Sequence, residues 1–173
     1  MKIIAIITLL LISLTGAGQT QVCADVDTFH ALSKTDLNRK SDSIVKILNA
    51  FWEEKAKMAK LGLAIDNFEF QAFDFDQNCE TTNDLDYLYH IIAVMQKDNK
   101  FKIEIVGNMD SKEEVENPLI SARRVNFIKR ILVLNNIPSE RIRVTDAKST
   151  RPAAPKTKMG QKENRRVDIY ISN

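Results

Sequence analysis

The chain has 173 residues, 44% hydrophobic and 28% charged, with a formal net charge of +2 at pH 7. That size holds one domain with a terminal addition, and no internal repeat or low-complexity tract runs through it. Two histidines and two cysteines show no metal-ligand spacing, and five glycines form no phosphate-cradling loop, so nothing in the sequence points to catalysis or to a cofactor.

The chain opens on Lys2, an apolar run from Ile3 to Leu14, and Thr15-Gly16-Ala17-Gly18. These are the regions of a secretory signal peptide over residues 1–18, with cleavage expected after Ala17 or Gly18. The apolar run is shorter than a membrane span of roughly 20 residues, so no direct span is expected after cleavage. Cys23 follows Val22 rather than a small residue and is read as unlipidated. An exported chain permits a disulfide between Cys23 and Cys79, or two separate buried thiols; the sequence leaves both open. Charge divides unevenly. Residues 19–100 carry 9 basic and 14 acidic residues, and residues 101–173 carry 15 basic and 9 acidic. A basic half can suggest nucleic acid, but export argues against it. An anionic polymer, or pairing between the two halves, fits better.

Residues 19–36 form a weakly patterned lead-in. From Leu37 to Leu61, Ile44, Leu48, Phe51, Lys55 and Met58 recur at helical spacing and predict an amphipathic helix stopped by Gly62. We expect it to pack on the domain that follows, because Phe51 and Trp52 are costly to expose. Phe68 to Asp76 reads as a first strand, and a helix follows from Asp84 to Lys97 with Leu85, Leu88, Tyr89, Ile92 and Met95 on its inner face. Asn83 or Thr82 is placed to cap it. Phe101 to Val106 alternates as a second strand, leading through Gly107-Asn108-Met109-Asp110 into a short acidic loop. A second helix spans about Leu119 to Leu134, burying Ile120, Val125, Ile128, Ile131 and Leu132 and ending before Pro138. Ile142 and Val144 start a third strand, and Val167, Ile169 and Ile171 alternate in a last one. The order β-α-β-α-β-β makes an α+β, two-layer domain over residues 63–173, preceded by an extra N-terminal helix.

The motifs in that second half resemble those of the OmpA C-terminal-like domains, a family of periplasmic peptidoglycan-binding modules. Family members carry GHTD, then NxxLSxxRA, then NRRVE. Here the corresponding stretches read Gly107-Asn108-Met109-Asp110, Asn117 to Val125, and Asn164-Arg165-Arg166-Val167. The resemblance implies a non-catalytic, periplasmic protein that binds the diaminopimelate stem peptide and links the wall to the outer membrane or an envelope complex through a protein partner. It also implies a site. A diaminopimelate end presents a carboxylate and an ammonium on one carbon. An arginine fork suits the first, and an aspartate the second. By motif position these are Arg124 and Asp110, with Asn117 beside them and Asn78 after the first strand. The sequence departs from the pattern in several places. Asn108 and Met109 replace histidine and threonine, the glycine after the aspartate is absent, and the loop is one residue shorter. Val125 replaces the alanine after the arginine, Asp146 and Lys148 stand at glycine positions, and Pro118 enters the start of the helix, where the first turn tolerates it. A glutamate of that loop, Glu113, Glu114 or Glu116, is the alternative partner for Arg124, as a surface ion pair. A degenerate domain that binds proteins through the helix at Leu37–Leu61 is the alternative to wall binding, and a hydrolytic envelope enzyme stands third.

Overall fold

The computed structural model describes Cys23 and residues 34–63, 68–82, 86–154 and 161–172. Residues 1–18, read above as a signal peptide, most of the lead-in, Asn83, Asp84 and Leu85 lie outside the described residues. The first described element is a long helix, α1 (Lys34–Lys60), ended by Gly62 at φ +75°, a left-handed conformation that costs glycine little. Leu48 on its inner stripe is fully buried, with Ile44, Val45 and Trp52 packed against the same core. α1 lies on α2 (Asp86–Lys97), and an ion pair between Asp42 and Lys97 crosses the two helices. Among the described residues no helix is long and apolar enough to cross a membrane.

Among the described residues four strands form one mixed sheet. They are β1 (Phe68–Asp74), β2 (Lys102–Asn108), β3 (Ile142–Lys148) and β4 (Arg166–Ser172), in spatial order β1-β4-β2-β3. β4 runs antiparallel to both neighbours, while β2 and β3 are parallel. Parallel strands need a crossover, supplied here by α4 (Ile120–Leu134). Every second residue of β4, namely Val167, Ile169 and Ile171, is fully buried, as the alternation predicts for an inner strand with one covered face. Phe73, Ile103, Ile105, Leu88, Ile91, Met95, Ile128 and Ile131 complete the core between the sheet and the helices.

Three details differ from the sequence reading. The acidic stretch after Asp110 is not a loop but a six-residue helix, α3 (Ser111–Glu116), and a short α5 (Gln161–Asn164) precedes β4. Both are too short to show a period. Pro118 sits in the turn before α4 rather than in its first helical turn, since α4 begins at Ile120. Arg124, expected outside the apolar stripe of its helix, is fully buried. Ser121, Arg124, Val125 and Ile128 share one helical face, and that face meets the sheet.

Candidate functional site

The site lies where the C-terminal ends of β1 and β2 meet α3 and α4. Gly107 makes the approach close: a Cβ there would stand 2.5 Å from the Ser121 carbonyl oxygen and 2.5 Å from Val125 Cγ2. The glycine that opens the first motif therefore lets α4 sit directly on β2. Ser121 secures the contact by donating its hydroxyl to Asp146 on β3.

That approach carries Arg124 into the interior. Its Nε donates to the Cys79 carbonyl at 2.8 Å. Nη1 donates to the Asn108 carbonyl at 3.3 Å and to Glu113 Oε2 at 2.8 Å. Nη2 donates to the Asp76 carbonyl at 3.0 Å and to Glu113 Oε1 at 2.6 Å. A guanidinium has five N–H donors, and all are spent. The Phe75 ring lies 5.0 Å from the guanidinium carbon. Glu113 also accepts the backbone N–H of Asn78 at 2.7 Å, and both side chains of the Arg124–Glu113 pair have no exposed surface. The result is a buried carboxylate cradle whose carboxylate is the chain's own.

Asp110 is held one turn away. It caps α3 by accepting the N–H groups of Lys112 and Glu113, both at 2.8 Å. Its second oxygen accepts Arg165 Nη1 at 2.9 Å. Arg165 also donates to the Phe75 carbonyl, so it ties the motif before β4 to the end of β1. Asn164 holds the neighbouring loop, accepting from the N–H groups of Ala153 and Ala154. Arg166 and Asn108 both donate to Asp168 across the outer face of the sheet.

The four expected residues therefore converge on one region, in different capacities. Arg124 and Asp110 are both buried and both paired internally. Asn78 adopts φ +57° and contributes its backbone N–H to the cradle, while its side chain reaches Glu116 at 3.4 Å. Asn117 ends α3, its N–H donating to the Glu113 carbonyl. Glu113 was legible only as one of three candidates for a surface pair. What singles it out is its place three residues after the capping aspartate, which turns it to the same side of α3. The disulfide that the sequence left open is formed: Cys23 and Cys79 are bonded with Cα atoms 5.3 Å apart, which fixes the segment whose carbonyl receives Arg124. Beside this loop a recess of about 260 Å³ is lined by Glu80, Thr81, Arg123, Asn126, Phe127 and Arg130. Among the described residues no group of three or more histidine, cysteine, aspartate or glutamate side chains is arranged to hold a metal ion.

No family model matches the chain. Residues of the chain are 29% identical over 101 positions to outer membrane porin F of Pseudomonas fluorescens, a match covering 57% of this chain and 31% of the porin. The chain thus spans about a third of that relative's length. Among solved structures it is similar to the peptidoglycan-associated lipoprotein from Burkholderia pseudomallei, with a TM-score of 0.54, 19% identity, and coverage of 59% of this chain and 90% of that one. It is also similar to the C-terminal domain of Helicobacter pylori MotB, with a TM-score of 0.51, 22% identity, and coverage of 60% and 84%. At these identities the likeness is one of fold. Motif order and sheet topology agree on it: the chain has the fold of these two solved domains, behind a long N-terminal helix.

Proposed function

We propose that this chain is a non-catalytic envelope protein that binds peptidoglycan in the periplasm. It recognises the diaminopimelate stem peptide and links the wall to the outer membrane or an envelope complex through a protein partner. The observation that carries this reading is the cradle around Arg124, an arginine fork and a backbone N–H closed on one carboxylate, with the Asp110 carboxylate alongside. A fork aimed at a carboxylate beside an anion is the arrangement an amino-acid centre needs. The fold likeness to a peptidoglycan-associated lipoprotein supports the same ligand class. Arg124, Asp110, Asn117 and Asn78 are the residues assigned to the ligand.

The test is sedimentation of the folded chain with intact sacculi. Retention is expected, and a soluble stem tripeptide carrying diaminopimelate should release the protein. The same tripeptide carrying lysine, which lacks the side-chain carboxylate, should release it poorly.

A second reading is favoured by one observation: Arg124 and Asp110 are already satisfied from within. On that reading the domain is a protein-interaction module that does not bind the wall. Folded protein that stays wholly in the supernatant of the sacculus assay would overturn the first reading in its favour.

A further inference from the structure

We propose that Glu113 is a tethered occupant of the ligand's carboxylate position, and that α3 is a plug which an incoming carboxylate must displace. This rests on the wall-binding reading above and adds to it the residue that governs access. Three observations carry it. First, the Glu113 carboxylate makes both bonds of a bidentate contact with Arg124 and takes a third from the Asn78 N–H, leaving no donor of the fork open. Nothing else can pair with Arg124 while Glu113 is in place. Second, α3 is fastened through polar groups. Asp110 caps it, Ser149 donates to Glu114, and Gln77 and Asn78 donate to Glu116. Its one apolar side chain, Val115, is 83% exposed, so no hydrophobic contact anchors the helix. A segment so held opens at lower free energy than the core beneath it. Third, α3 ends at Asn117 and Pro118, a non-helical turn, so it can move without disturbing α4.

Displacing the plug leaves the fixed parts intact. Arg124 keeps its carbonyl contacts to Cys79, Asn108 and Asp76, and a free carboxylate can take the two bonds that Glu113 releases. Glu113 goes to water, where its charge is solvated. Apparent affinity is then the intrinsic affinity scaled by the fraction of molecules with α3 lifted.

The test uses Glu113→Ala in the full chain, with acetate as the smallest carboxylate probe. The thermal midpoint of Glu113→Ala should rise in acetate relative to chloride at equal ionic strength, and that of the wild type should not. Glu113→Ala with Arg124→Ala should lose the response. If Glu113→Ala folds only in acetate, that is the same result in stronger form. In the sacculus assay Glu113→Ala should be retained about tenfold or more better than the wild type, corresponding to an open fraction of a tenth or less before the change. Equal midpoints in acetate and chloride, or failure to fold in both, would overturn the plug. So would retention no better than wild type in a protein whose wild type binds sacculi. Acetate rescue without any sacculus binding would keep Glu113 as the occupant and discard the wall as the ligand.

Discussion

At the scale of single residues, the buried guanidinium of Arg124 sets the terms. A charge without exposed surface is tolerated only when its donors are met, and here one carboxylate and three carbonyls meet them. Arg124→Ala should therefore do more than remove a ligand contact. It strands Glu113 as a buried, uncompensated carboxylate, at a cost of about 3–5 kcal/mol. Urea unfolding should show a lower midpoint than wild type, and Arg124→Lys should recover little, because lysine lacks the planar fork. Arg123→Ala should change the midpoint hardly at all, since that exposed side chain faces Glu80 at 4.0 Å. Arg124 could be picked out in the sequence as the motif arginine, but its burial could not. Helical periodicity marks apolar stripes, and a cation inside the stripe reads as an interruption. Its depth depends on Gly107, on the Cys79 segment and on Glu113, none of which lies on its own helix.

At the scale of elements, the contact between β2 and α4 is the joint on which the site depends. Gly107→Ala would put a methyl group 2.5 Å from the Ser121 carbonyl and from Val125. The helix would have to move outward, taking Arg124 with it. Such overpacking costs about 1–3 kcal/mol. We expect a lowered thermal midpoint together with loss of the site's geometry. Arg141 makes a second joint, donating to the carbonyls of Met95, Asp98 and Phe101. Burial lowers its pKa while Asp98 and Glu140 raise it. The long elements were legible because their burial repeats. α2, α4, β2 and β4 each carry several buried residues at helical or alternate spacing. α3 was not, because six residues with three glutamates and one exposed valine look like a loop. The capping bonds of Asp110 start it as a helix, a tertiary detail that no period in the sequence marks.

At the scale of the whole molecule, the disulfide between Cys23 and Cys79 joins the N-terminal segment to the domain across 56 residues. It encloses all of α1 and β1. Loop-closure entropy for a span of that size corresponds to about 4 kcal/mol. Cys79→Ser, or the wild type in reductant, should unfold at a lower denaturant concentration than the oxidised chain. Thiol counting of oxidised, denatured protein should find no free thiol. The inner place of the last strand follows from its alternating valine and isoleucines, whereas the bond between the cysteines does not follow from spacing, since Cys23 lies in a stretch without pattern. The position of β4 has one more consequence, for the order of events during synthesis. Among the described residues β1 has a single neighbour in the sheet, and that neighbour is β4, the last of the four strands in chain order. Until residues 166–172 have left the ribosome, β1 has no edge to pair with, and β2, paired with β3 on one side, is open on the side β4 will fill. The four-stranded sheet therefore closes only once residues 166–172 are available, so pairing of its two halves is a late, long-range event in folding.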